Sequence, residues 1–239
     1  LDHLLSRVAN LQTLDGNPLG AAVRRFENVT AVMIANEPRP LPNLVIGLAP
    51  GGEPLVRDIL KWYRSRRVRC ELEIAPSADN SALLHHLAAL RLYQCSFATV
   101  LYGVPRAEAA PMFGGVRVAE LPPAEFAALV VEIDRVPDSE RGLWTRIRAA
   151  EFSADWRGYV AFVDGAPAGH AAMWASEGVA VLGFAETRPE HRGRGCQTAL
   201  LRQRMSDAAR AGRDLVTSQS LVGSVSQRNM ERAGLRVAY

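Results

Sequence analysis

The sequence predicts an α/β (α+β) protein, a mixed central sheet flanked by helices, in two related halves. Three observations predict it. Short apolar runs of strand length alternate with amphipathic runs at helical spacing along the chain. A basic, glycine-containing loop joins one apolar run, residues 179–187, to the amphipathic run that follows it. The order of elements around that loop recurs in weaker form earlier in the chain.

In order, Leu4, Leu5, Val8 and Leu11 lie at helical spacing and predict an N-terminal helix. Strands are expected over 29–35 and 44–48. A helix follows over 53–67 with Leu55, Ile59, Leu60 and Tyr63 on one face. Next come a strand at 68–74, a helix at 81–90 and a strand at 97–102. Residues 103–115 carry Pro105, Pro111, Gly114 and Gly115 and read as a linker. The second half opens with a strand at 116–119, then helices at 123–135 and 140–150. Strands are expected at 159–163, 169–175 and 179–187. A helix at 198–211, a strand at 214–220, a helix at 224–233 and a strand at 235–239 complete it. The boundaries expected are therefore 1–105 and 116–239.

Composition narrows the class. The 239 residues are 48% hydrophobic and 22% charged, enough for a buried core. A net charge of +3, with arginines interleaved among acids, gives no nucleic-acid footprint. The longest apolar region, 159–185, is broken by Asp164, Gly165, Pro167, His170 and Glu177, so it reads as strands and not as a membrane span. Cys70, Cys95 and Cys196 are odd in number and widely spaced, with no metal-ligand pattern. A reducing, cytoplasmic location is the expectation, without metal.

The chemistry lies in Pro189-Glu190-His191-Arg192-Gly193-Arg194-Gly195-Cys196-Gln197-Thr198. The first N–H groups of a helix lack internal partners, and the macrodipole makes that end positive. Gly193 and Gly195 permit φ > 0 and close approach of the backbone to a ligand. Arg192 and Arg194 add fixed charge. Together these suit a phosphorylated ligand. No Gly-Lys-Ser/Thr follows, so this is not a Walker loop, and the third glycine of a dinucleotide fingerprint is missing.

The run Pro-Glu-x-Arg-Gly-x-Gly between strand and helix resembles motif A of the GNAT superfamily of acyl-CoA-dependent N-acetyltransferases. The β-α-α-β-β-β-α-β-α-β order from Val116 to the C-terminus resembles it too. Gln197 stands where the family carries a small residue, and only its backbone N–H is needed there. The resemblance implies a GNAT fold and acetyl-CoA as cosubstrate. Pyrophosphate would be held by Arg192, Gly193, Arg194, Gly195, Cys196, Gln197 and Thr198. The pantetheine arm would lie on backbone of Phe184, Ala185, Glu186 and Thr187, in a splay between strands 179–187 and 214–220. It also implies a coenzyme-facing role for Asn229. The first half reads as a degenerate second copy, a tandem arrangement. Its loop, Ala49-Pro50-Gly51-Gly52-Glu53-Pro54, has an acid, no arginine and two prolines without N–H, so it makes a poor phosphate cradle.

For the general base, Glu186, Glu177 and His170 are candidates. The family commonly uses a strand carboxylate, and the alternative for Glu186 is a surface pair with Arg188. The family's leaving-group tyrosine falls at Met230, four residues before Gly234-Leu235. Tyr239 or Ser226 could substitute. The expected activity is acetyl transfer from acetyl-CoA to a primary amine of a small molecule. The alternative is a CoA-binding regulatory module without turnover. Trp144, Trp156, Trp174 and Phe152 could line an acceptor pocket or form core. Expected partners are acetyl-CoA and an amine acceptor, with no nucleic acid and no membrane, and a homodimer is left open.

Overall fold

A computed structural model describes residues 1–37, 43–77, 79–107, 115–153 and 155–239. Two compact units divide the chain, Leu1–Ser96 and Phe97–Tyr239. Residues 108–114, most of the expected linker at 103–115, lie outside the described residues. Among the described residues, no helix is long and apolar enough to cross a membrane.

In the first unit, α1 (Asp2–Gln12) precedes an antiparallel hairpin of β1 (Ala21–Phe26) and β2 (Val29–Ile34). Every residue of β2 is buried, whereas β1 exposes Val23, Arg24 and Arg25, as an edge strand does. That polar face is why β1 was not expected from hydrophobic periodicity. β3 (Leu44–Ile46) pairs antiparallel with β2 and parallel with β4 (Glu71–Leu72). Between β3 and β4 runs α2 (Glu53–Arg64), and α3 (Ser81–Ala89) follows β4. The core gathers Met33, Val45, Val56, Ile59, Tyr63 and Leu83. The Tyr63 hydroxyl donates to the carbonyls of Val32 (2.7 Å) and Leu44 (3.2 Å), which fixes α2 to the sheet. Burial pushes its phenol well above the usual range, so it stays a donor.

The second unit is a seven-stranded mixed sheet. Its strands are β5 (Ala98–Gly103), β6 (Val116–Leu121), β7 (Trp156–Val163), β8 (Ala166–Ala175), β9 (Val179–Thr187), β10 (Leu215–Leu221) and β11 (Arg236–Val237). Their spatial order is β11-β5-β10-β9-β8-β7-β6. β6 to β9 form an antiparallel meander, and β9 and β10 are parallel. A parallel pair needs a crossover, which α6 (Cys196–Arg210) supplies. β5, expected as the last strand of the first half, instead lies between β10 and β11 in this sheet. The compact units accordingly part at Ser96, ahead of this strand.

Period-two alternation puts a different core on each face. On one, α4 (Pro123–Ile133) and α5 (Asp138–Glu151) cover Val160, Ala172 and Trp174 with Phe126, Val130 and Phe152. On the other, α6 and α7 (Val225–Arg232) cover Tyr159, Ala171, Met173 and Leu182 with Leu200, Met205 and Met230. Trp144, Trp156, Trp174 and Phe152 are all buried, so they are core.

Gly158 on β7 lies directly beneath Phe126, and a Cβ there would meet the ring at 2.3 Å. Gly158→Ala is therefore expected to destabilise the second unit by about 1–3 kcal/mol through overpacking. Urea unfolding should show the lower midpoint, and an unchanged midpoint would contradict this packing.

Candidate functional site

Two backbone interruptions in the second unit define the site. The first separates β9 from β10. Their parallel ladder holds Leu215↔Val179, Val216↔Ala180 and Thr217↔Val181, and then ends. β9 continues for six residues to Thr187, while the rest of β10, from Ser218 to Leu221, pairs on its other edge with β5. The facing edges of β9 and β10 therefore diverge, which is the splay expected between these strands. At its origin the Ser218 hydroxyl donates to the Leu182 carbonyl (2.7 Å).

The second interruption is a bulge on β9. His170↔Glu186 and Ala172↔Gly183 are in register, so Phe184 and Ala185 together stand opposite Ala171. Phe184 takes φ +53°, a left-handed conformation rare for a side chain of its size. Its ring is held between Phe152 (5.3 Å) and Trp156 (5.4 Å). Across the bulge lies Arg204, fully buried on α6. Its guanidinium donates to the carbonyls of Ala172 (2.9 Å), Gly183 (3.2 Å) and Leu200 (3.1 Å).

The basic loop follows β9. Pro189–His191 forms a single 3-10 turn, and α6 begins at Cys196 with Gly195 as its N-cap in the left-handed region (φ 87°). Gly193 is also left-handed (φ 77°). Among the described residues, none of the backbone N–H groups of residues 193–198 donates to a backbone carbonyl. Six consecutive donors at the positive end of a fifteen-residue helix form an anion cradle.

Its charged side chains make only light contacts. Arg192 approaches Glu186 at 3.4 Å with both side chains more than half exposed, and Arg194 meets the exposed Asp164 at 2.9 Å. Such exposed pairs are worth little, so they would oppose an anion there only weakly. Arg188 bonds Glu132 (3.0 Å), so the pair expected between Glu186 and Arg188 is not made. With Arg135–Glu190 (2.6 Å) and His170–Asp134 (2.9 Å), it ties the C-terminal end of α4 to β8 and the loop.

Several expected residues sit differently from their expected roles. The Cys196 thiol is buried in the core and pushed above its usual range by burial, so its contribution is its N–H. The Asn229 side-chain amide donates to Gln197 Oε1, and Gln197 Nε2 donates to Ser226 Oγ (2.7 Å). Gln197 and Asn229 thus form a strut between α6 and α7. Glu177 lies in the turn before β9, at the end of that strand remote from the loop. Tyr239 follows the edge strand β11, with β5 and β10 between it and β9. The structure does not bring it to the splay. Met230 is buried in the core. His170 faces the same side of the sheet as Glu186, and its Nδ1 is buried with no partner among the described residues.

Ala185, Glu186 and Thr187 line the bulged strand, and residues 192–198 form the cradle at its end. Arg204 and Ser218 escaped the sequence reading. Arg204 stands four residues from both Leu200 and Ala208, a charge within the apolar stripe of α6, and that placement was a legible signal.

No family model and no curated protein matches the sequence. Solved structures do match the fold. A tandem GNAT protein from the clavulanic acid biosynthesis pathway superposes with a TM-score of 0.62 at 17% identity, over 97% of this chain and 84% of that one. A GCN5-related N-acetyltransferase from Kribbella flavida gives 0.62 at 17% identity, over 97% and 91%. Another from Sphaerobacter thermophilus gives 0.60 at 19% identity, over 88% and 73%. The chain therefore has the GNAT fold, a mixed sheet flanked by helices.

Proposed function

We propose that the protein is an acyl-CoA-dependent N-acetyltransferase acting on a primary amine of a small molecule. The observation that carries this reading is a splayed strand edge running directly into six unpaired helix N-terminal donors. A pyrophosphate suits the donors and a peptide-like pantetheine arm suits the edge of β9. The active domain in this reading is 116–239, completed by β5, and residues 1–105 otherwise hold a degenerate copy. In that copy the Gly52 N–H donates to Ala49, Leu55 donates to Gly52, and Pro50 and Pro54 have no donor to offer.

In the reaction the amine nitrogen attacks the thioester carbonyl carbon. The carbon–sulfur bond breaks, and the coenzyme leaves as thiolate. A backbone N–H of the bulged strand stabilises the developing oxyanion. Glu186, exposed on that strand, takes the amine proton through water. The thiolate, with a conjugate acid near the ordinary thiol pKa of about 8.5, leaves without a dedicated acid. This agrees with the apolar burial of Met230 and the remote place of Tyr239.

The second reading, a regulatory module that binds the coenzyme without turnover, is favoured by Met230 alone. Acetyl-CoA consumption measured against a panel of amines separates the two: turnover supports the enzyme, and binding without turnover supports the module.

Calorimetry with acetyl-CoA is expected to give one site per chain. Gly195→Glu, which sets bulk and negative charge at the cradle, should abolish it. Two equivalent sites, or full affinity in that variant, would contradict the assignment. Arg192→Ala should raise the KM for acetyl-CoA roughly tenfold, about 1.4 kcal/mol, with little change in kcat, because a phosphate contact is the same in ground and transition states. Glu186→Gln should do the reverse, lowering kcat about 100-fold while leaving acetyl-CoA affinity intact. Unchanged kcat would remove Glu186 from the base role.

A further inference from the structure

The gap between β9 and β10 poses a physical question that the cradle does not. Two neighbouring strands with unpaired, partly buried edges gain by closing their ladder, since each buried backbone group left without a partner costs about 1–3 kcal/mol. Something must satisfy those groups with the strands apart. One side chain does so where the β9–β10 ladder stops, and a second serves the β8–β9 bulge beside it. Ser218, buried on β10, gives its hydroxyl to Leu182, the first β9 residue beyond the last ladder pair. Arg204 gives its guanidinium to Ala172 and Gly183, the last register pair before the bulge.

Arg204 is costly as a purely structural residue. It is buried, its three acceptors are backbone carbonyls, and among the described residues no carboxylate lies within ion-pair distance of it. Burial pushes its pKa down to about 10. Burying an unpaired charge is costly, and an apolar side chain usually fills such a core position more cheaply. A leucine or methionine there would take a charged donor away from two carbonyls that flank the bulge. The guanidinium therefore fits a position where the strand backbone departs from regular pairing.

We propose that Ser218 and Arg204 are positioning residues that shape the β9 edge: Ser218 supplies a side-chain donor where the β9–β10 ladder stops, and Arg204 braces the β8–β9 bulge beside that gap. They leave the β9 edge free for an extended, amide-bearing ligand arm. Arg204 belongs to the helix whose N-terminus is the cradle, so it also sets the bulge against the anion site. The identity of the arm as that of acyl-CoA rests on the function proposed above. The holding of the gap does not.

The test compares CoA, which has the arm, with ADP, which offers a pyrophosphate without it, in wild type, Ser218→Ala, Arg204→Met and Arg204→Lys. Wild type should bind CoA more tightly than ADP. Ser218→Ala and Arg204→Met should each lose at least tenfold in CoA affinity with ADP affinity held within twofold, and Arg204→Lys should fall between. In ligand-free protein, the backbone amides within 182–186 that face β10 and not β8 should exchange quickly in wild type and become protected in Ser218→Ala as the strands close. Should Arg204→Met fail to fold, Ser218→Ala decides. Equal losses for CoA and ADP, or unchanged affinity and exchange in Ser218→Ala, would overturn the proposal. If wild type bound neither ligand while exchange still responded to Ser218→Ala, the acyl-CoA reading would fall and the gap-holding role would stand.

Discussion

Hydrogen-bond accounting between β9 and β10 organises the second unit. A parallel pair that began at Val179 and Leu215 and ran its full length would have no room for a ligand. The ladder instead stops after Val181 and Thr217. Everything downstream depends on that stop. β10 turns its remaining bonds to β5, and β9 bulges at Phe184 and Ala185. The chain then leaves β9 into a turn and a helix start whose donors have no internal acceptors. Peptide groups that a closed sheet and a capped helix would consume are left for the coenzyme in the function proposed above.

Holding that state takes more than the loop. β5 comes from before the linker in sequence, yet it supplies the antiparallel partner for the diverging end of β10. The aromatic ring of Phe184, gripped by Phe152 and Trp156, anchors a backbone conformation that sterics disfavour. The C-terminal end of α4 binds β8 and the loop through Asp134, Glu132 and Arg135. The strut of Gln197, Ser226 and Asn229 joins the two helices beside the cradle. The backbone geometry of this region thus rests on packing on both faces of the sheet.

How much of this was legible in the sequence follows from how local each feature is. The cradle was legible because its glycines, arginines and helix start are contiguous, and because one local interaction, the helix dipole, explains them. The splayed strands were legible only through the family resemblance, since no local pattern marks where a ladder ends. The place of β5 was not, because residues 98–103 read equally well as a strand of either half, and pairing is decided by which sheet edge is free. β1 was hidden by its polar edge face. Tyr239 was expected at the site from its residue type, and the sheet order placed two strands in between. Asn229 was read as coenzyme-facing, yet its side-chain amide donates to Gln197, a contact between residues 32 apart that spacing alone does not show.

The central claim is that the diverging edge of β9 and the start of α6 form one continuous binding surface for an acyl-CoA. Amide chemical shifts followed during an acetyl-CoA titration test it most directly. The account predicts that the N–H signals of residues 182–187 and 193–198 move together and saturate at one equivalent, while those of Gly51 and Gly52 stay still. Movement at Gly51 and Gly52, or at the cradle without any at β9, would contradict it.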